Sequence, residues 1–390
     1  MGFRVKNIAH SLLYDGYIPT DKKRICGKTI NSWISTKFED PIWDDFLSMT
    51  PVGEFEQSSL WAQAKQLDDW RPIRVLFTQK NLLLGGFQIL MRPTPFSGAF
   101  GYISKGPVIP SKNPDLIKFV IDKLRATCKQ YRILSLMIQP PDRDSNLSLY
   151  FRSEGFLPNY IMNITHSTVL IDLKKDWSEI FGCMRKTTRK YIRKANRSKI
   201  TVREGTEKNL SSFYQLMLST CRRQGVQPNP SSEDFVMQMW RVFNARGLIK
   251  LLMVEYEGEK LAAMLMIPFG QCVKAWKVGW SGEHNNRRPN YLLYSEGIKW
   301  AKECGYEYFD LYGLNAEAAS AVIRGDPLPE MFKSTPAFFK LGFGGEPLLF
   351  PDAQVYIYSP LLRFAYSRLF TRPWFSRMME RIRKRFISII

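Results

Sequence analysis

Residues 251–280, LLMVEYEGEKLAAMLMIPFGQCVKAWKVGW, decide the fold. Apolar, β-favouring runs at 251–255, 261–268 and 274–280, parted by glycine-bearing turns, predict three consecutive strands of a covered sheet. The next segment, 291–304, has apolar residues at helical spacing, and 306–311 (YEYFDL) returns to a strand pattern. The same order occurs earlier in the chain. Strands are expected at 74–77, 81–91 and 102–109, the last ended by Pro110, followed by a helix over 116–130 and a strand over 133–138. Leu116, Phe119, Val120, Leu124 and Cys128 supply the helix's apolar face.

The two sets keep a nearly constant offset: 177 from Gly85 to Ala262, 176 from Gly106 to Gly282 and 175 from Gln130 to Gly305. Such self-similarity points to a duplicated α/β lobe. At 390 residues the chain is long enough for two domains. The expected division is an appended segment at 1–50, a first lobe at 51–166, a second at 167–350, and a basic amphipathic segment at 351–390.

Charge is concentrated rather than spread. Of the net +20, residues 183–203 contribute nine cations and no acid, and residues 360–390 contribute eight cations against one acid. The rest of the chain is nearly balanced, which implies two local anion-facing surfaces. The run at 184–203, MRKTTRKYIRKANRSKITVR, is expected to be helical. Arg185, Arg189, Arg193 and Arg197 would form one ridge and Lys186, Lys190 and Lys194 its neighbour, with Phe181, Met184, Thr188, Tyr191 and Ala195 on the packed side. Like charges at i,i+4 each cost a helix roughly 0.2–0.5 kcal/mol, so a run without interposed acids points to a polyanion.

Several chemistries lack support. No pair among the six cysteines has metal-ligand or redox spacing, so no metal is expected and a reducing, cytoplasmic setting fits. His10, His166 and His284 share no motif with a nucleophile or carboxylate, and there is no P-loop or G-x-G-x-x-G. No cofactor is indicated. Glu296 and Asp310 are candidate bases, Asp310 equally a turn cap. No signal peptide, transit sequence or spanning segment is expected, since the longest apolar stretch, 82–91, falls well short of the ~20 residues needed.

Two smaller motifs remain: F-x-Q-S-x-x-W-x-x-x-K, from Phe55 to Lys65 on an expected helix at 57–66, and F-K-x-x-F-G-G, from Phe339 to Gly345. Together with GEFEQSSLWAQAKQ (53–66), YISKGPVI (102–109), EGF (154–156), MRKTTRKYIRKA (184–195), RRPNYLLYSEGIKWAKECGYEYFDLYG (287–313) and FFKLGFGGE (338–346), the chain resembles the Fem family of peptidoglycan-bridge aminoacyltransferases.

The resemblance implies an α/β (α+β) fold of two tandem acetyltransferase-like (GNAT) lobes. It also implies transfer of an amino acid from aminoacyl-tRNA to the amine of a cell-wall precursor peptide on a nucleotide or lipid pyrophosphate. Carried over to these residues, it makes Lys65, Lys186, Arg189 and Arg193 candidates for holding the pyrophosphate, and Lys340 the candidate charge beside the reacting ester. An aminoacyl ester is already activated, so orientation and oxyanion stabilisation suffice for attack by an amine. The long paired-helix arm that some members place near tRNA is missing from residues 200–250.

Two other readings stand beside this one. The first is an N-acyltransferase using an acyl-CoA-type thioester in envelope polysaccharide synthesis, against which the Q/R-x-x-G-x-G/A pyrophosphate loop is not evident in either lobe. The second is a non-catalytic nucleic-acid-binding module resting on the cationic run. Finally, residues 374–390 pattern as a basic amphipathic helix, with Trp374, Phe375, Met378, Met379, Ile382, Phe386 and Ile389 on one face. Such a helix either rests on the inner membrane surface or packs on the second lobe.

Overall fold

A computed structural model describes residues 3–4, 8–94, 98–160 and 164–369; the expected helix at 374–390 lies outside them. The described chain folds as two compact units, Met1–Ile164 with Phe350–Ile390, and Thr165–Leu349.

The first unit contains, in chain order, β1 (Phe3–Arg4), α1 (Ile8–Tyr14), β2 (Ile18–Ile25), β3 (Lys28–Ser35), α2 (Pro41–Met49), α3 (Ser59–Lys65), β4 (Arg71–Gln79), β5 (Leu82–Thr94), β6 (Gly98–Ile103), α4 (Pro114–Gln130), β7 (Ile133–Ile138), α5 (Ser145–Ser153) and β8 (Leu157–Pro158). In the second are β9 (Ser167–Asp172), α6 (Trp177–Cys183), α7 (Lys186–Asn196), β10 (Thr201–Gly205), α8 (Leu210–Gln224), α9 (Glu233–Asn244), β11 (Lys250–Tyr256), β12 (Glu259–Phe269), β13 (Cys272–Trp280), α10 (Pro289–Glu303), β14 (Tyr308–Asp310), α11 (Ala316–Ile323), α12 (Pro336–Leu341) and β15 (Glu346–Leu349). The chain then returns to the first unit with β16 (Gln354–Ile357) and α13 (Pro360–Leu369).

One topology occurs in both units. The strands β4, β5 and β6 run antiparallel in sequence, α4 crosses over, and β7 pairs parallel with β6. In the second unit β11, β12 and β13 do the same, α10 crosses over, and β14 pairs parallel with β13. A parallel neighbour needs such a crossover, because a tight turn can only deliver an antiparallel one. The apolar periodicity of each crossover helix is spent on the sheet. Leu116, Phe119, Val120, Leu124 and Cys128 of α4 are buried against Ile73, Phe77 and Ile89, while Leu293, Ile298 and Ala301 of α10 are buried with Met264, Met266 and Phe309. Asn113 caps α4 by accepting from the N–H groups of Asp115 and Leu116, with Pro114 at the first helical position, which together define its start.

Four details depart from the sequence expectation. Residues 18–35 are not appended: β2 and β3 extend the first sheet, with β3 hydrogen-bonded along β4. The C-terminal segment also enters that sheet, where β16 lies between β7 and β8. The strand expected to run to 109 ends at Ile103, because Lys105 takes a left-handed backbone (φ 53°) and Pro107 has no N–H to donate. The helix expected over 57–66 starts at Ser59, where the Ser58 hydroxyl caps the Trp61 N–H, after a short 3-10 turn at Phe55–Gln57.

Candidate active site

The cationic run at 184–203 is not helical throughout: it holds one helix, α7, and its last three residues open β10. The helix expected to continue from Phe181 breaks after Cys183, where Met184 and Arg185 are extended, so Arg185 is the N-cap of α7 rather than part of its ridge, and Arg197 is the C-cap. Within α7 the ridge reduces to Arg189 and Arg193, with Lys186 exposed at the first position. The Arg189 guanidinium donates to the Gly182 carbonyl at 2.9 Å, and that of Arg193 lies 5.3 Å from the Phe181 ring. Thr188, Ile192 and Ala195 form the buried face. No side chain caps the α7 N-terminus and no acid occupies its first turn, so its dipole and its cations present one sign of charge.

The F-K-x-x-F-G-G turn is built onto that break. The Arg185 N–H donates to the Gly342 carbonyl at 2.9 Å, and the Arg185 guanidinium stacks 3.7 Å from the Phe338 ring. Gly344 has φ +77°, and a Cβ there would lie 2.3 Å from the Cys183 carbonyl oxygen, so only glycine fits. Phe343 is fully buried among Tyr291, Tyr294 and Phe339, with ring centroids 6.1, 5.4 and 5.2 Å away. This aromatic plug anchors the turn to α10.

Lys340, in the last turn of α12, is thereby aimed at the end of β14. Its Nζ donates to the carbonyls of Tyr312 and Gly313, each at 2.6 Å. Burial pushes the ammonium's pKa down to about 8, against which the nearby Asp310 carboxylate pulls upward. Asp310 is buried and accepts from the Tyr312 N–H at 2.7 Å and from the Thr168 hydroxyl, so it organises the turn that receives Lys340. Glu296, the other candidate base, forms an i,i+3 ion pair with Lys299 at 2.6 Å.

Other cations here are not singled out by the sequence reading. Lys274 on β13 is buried and stands directly across the parallel pair from Asp310, and Lys277 lies 5.9 Å from the Tyr312 ring. Their signal was two lysines inside an otherwise apolar buried strand. Arg287 and Arg288, just before α10, stack 3.6 Å from Tyr256 and 4.1 Å from Tyr191 respectively. An Arg-Arg pair ahead of a proline-started helix was their cue.

Lys65 lies in the first unit, in the last turn of α3. Its ammonium pairs with Asp68 at 3.2 Å and sits 5.3 Å from the Trp61 ring, and burial lowers its pKa while Asp68 opposes. Gln57, from the same motif, is structural. Its amide donates to the carbonyls of Ser104 and Gln88 at 2.6 and 3.3 Å and its oxygen accepts from the Gln88 N–H at 2.8 Å. Beneath it Arg74, fully buried, pairs with Asp40 at 2.9 Å and with Gln88 at 2.7 Å. Among the described residues no cluster of His, Cys, Asp or Glu has a metal-binding arrangement, and no helix is long and apolar enough to cross a membrane.

Comparison with known proteins agrees with this two-lobed architecture. Residues 39–149 match the FemAB family and residues 183–319 match the acetyltransferase (GNAT) domain. The chain is 23% identical over 290 residues to a UDP-N-acetylmuramoylpentapeptide-lysine N(6)-alanyltransferase of Weissella viridescens, covering 71% of this chain and 84% of that one. It is 25% identical over 195 residues to a lipid II:glycine glycyltransferase of Staphylococcus aureus, a match spanning 47% of this chain and 46% of the relative. Among solved structures, FemX superposes with a TM-score of 0.72 at 17% identity, covering 84% of this chain and 97% of its own. A tandem GNAT protein from the clavulanic acid biosynthesis pathway superposes with 0.51 at 8% identity, covering 84% and 99%. With a FemAB-family match over residues 39–149, an acetyltransferase match over residues 183–319 and the fold of FemX across both, the chain is similar to the FemAB family and is an acyltransferase of two tandem GNAT-like lobes.

Proposed function

We propose that the protein transfers an aminoacyl group from aminoacyl-tRNA to the amine of a cell-wall precursor peptide carried on a nucleotide or lipid pyrophosphate. The observation that carries this reading is the Lys340 ammonium clamped by the Tyr312 and Gly313 carbonyls on a turn built against the cationic α7. The acceptor amine attacks the ester carbonyl, the C–N bond forms, and an oxyanion develops before the ribose oxygen leaves with the proton shed by the amine. Two of the three Lys340 N–H bonds go to backbone carbonyls, and the third serves the oxyanion. With a pKa of about 8 the side chain is still mostly charged at neutral pH. Lys186, Arg189 and Arg193 supply the charge that holds phosphate, as does Lys65 in the first lobe. The names of the relatives, an alanyltransferase and a glycyltransferase acting on muramoyl-peptide and lipid II, support an amino acid as the group moved.

The acetyltransferase match on the second lobe also favours a thioester donor as the competing reading. Incubation with charged tRNA and a muropeptide precursor, followed by mass measurement, separates the two. The acceptor should gain one aminoacyl residue. Acceptor acylation from an acyl thioester, with none from charged tRNA, would replace this proposal by the competing one.

A further inference from the structure

The helix α13 is fastened by one face and bare on the other. On the inner side the Arg363 guanidinium donates to the Gly155 carbonyl, and the buried Tyr366 hydroxyl donates to Pro158 O at 2.9 Å while accepting from the Tyr160 N–H at 3.0 Å. On the outer side Leu361, Leu362 and Phe364 are 77%, 53% and 61% exposed. The Arg368 guanidinium follows one turn later, 5.4 Å from the Phe364 ring. A single exposed leucine needs no explanation, but three large apolar side chains grouped on one anchored turn form a patch. The charge around that patch has one sign: the helix contains Arg363 and Arg368 and no acid, and residues 360–390 carry eight cations against one acid.

We propose that this face of α13 docks on an anionic phospholipid surface, with Leu361, Leu362 and Phe364 entering the headgroup boundary and Arg368 at the level of the phosphates. Apolar side chains bordered by arginine suit that boundary, where burial and attraction to anionic lipid add. A second copy fits less well. A two-fold contact would bring two segments of net +7 together, and one short helix face is far below the ~20–30 residues per side of a stable dimer. The inference is independent of the acyl acceptor, since it concerns lipid binding rather than turnover.

The test is flotation of the full-length protein with vesicles of phosphatidylglycerol in phosphatidylcholine and with vesicles of phosphatidylcholine alone. The protein should float with the anionic vesicles and much less with the neutral ones. The double variant Leu361→Gln/Phe364→Gln should lose roughly tenfold or more in partitioning, and Arg368→Gln roughly fivefold on anionic vesicles only. Melting temperatures of both variants should match the parent, because these side chains are exposed. Flotation that ignores Leu361→Gln/Phe364→Gln overturns the proposal, as does absence of flotation. A parent dimer that becomes monomeric in the double variant, without vesicle binding, would assign the face to a second copy instead.

Discussion

The Arg185 N–H donates to the Gly342 carbonyl at 2.9 Å, which joins the start of the cationic helix to the turn that carries Lys340. The charge proposed for phosphate and the charge proposed for the oxyanion are therefore positioned by one piece of backbone. Changes to that junction should affect both functions together, whereas changes to either side chain should affect one.

Lys340→Met keeps much of the side chain's length and removes its charge. Turnover is expected to fall ~10²-fold or more while acceptor binding changes little, the pattern of an interaction made mainly in the transition state. Equal losses in binding with turnover intact would make Lys340 a phosphate anchor. In the parent enzyme activity should decline as pH rises through about 8, where this ammonium deprotonates. Stability should move the other way. The folded-state pKa lies below the usual 10.5, so between about 8 and 10.5 the unfolded chain holds a proton that the folded chain lacks, and this group's contribution to stability rises with pH across that window. Lys340→Arg should flatten the activity decline above pH 8.

Gly344→Ala tests the junction. The new Cβ meets backbone, the Cys183 carbonyl oxygen, at 2.3 Å and also strains a φ of +77°. A loss of about 2 kcal/mol or more in stability is expected, with losses in both phosphate-substrate binding and turnover. A variant with parental melting temperature and parental kinetics would show that the turn is not needed in this form.

Neutralising Arg189 and Arg193 together to Gln should weaken binding of the phosphate-bearing substrate and lower the slope of its salt dependence by roughly one to two. Melting temperature should barely change, because relief of i,i+4 repulsion offsets the contacts to Gly182 and Phe181. An unchanged salt slope with normal turnover would reduce the ridge to a solvated face.

Two members of the F-x-Q-S-x-x-W-x-x-x-K motif should separate cleanly. Gln57→Leu leaves the Gln88 N–H and Ser104 carbonyl unpaired in the core, so a stability loss of about 2 kcal/mol or more is expected. Lys65→Met should weaken substrate binding with little change in melting temperature. The pair of denaturation curves and binding isotherms decides between a motif that is structural throughout and one with both roles.

The sequence by itself determined the duplicated lobe. Strand runs and crossover helices are written in local apolar periodicity, and each crossover helix spends that periodicity on the sheet beside it, as Leu116 to Cys128 and Leu293 to Ala301 show. The charge runs were legible for the same reason, being contiguous. The partition of those charges was not. Whether 181–197 is one helix or two depends on Gly342 and Gly344, about 160 residues later, because the break at Met184–Arg185 is held by a backbone hydrogen bond and a close approach that local propensity does not contain. The placement of β2, β3 and β16 in the first sheet is likewise tertiary, since any β-favouring run can pair with any open edge and only the folded chain selects which. Lys340 was visible as a residue beside a glycine-rich turn, but its two carbonyl partners, its neighbour Asp310 and its lowered pKa come from burial and from contacts across β14. Those depend on distance in space, which the order of residues leaves open.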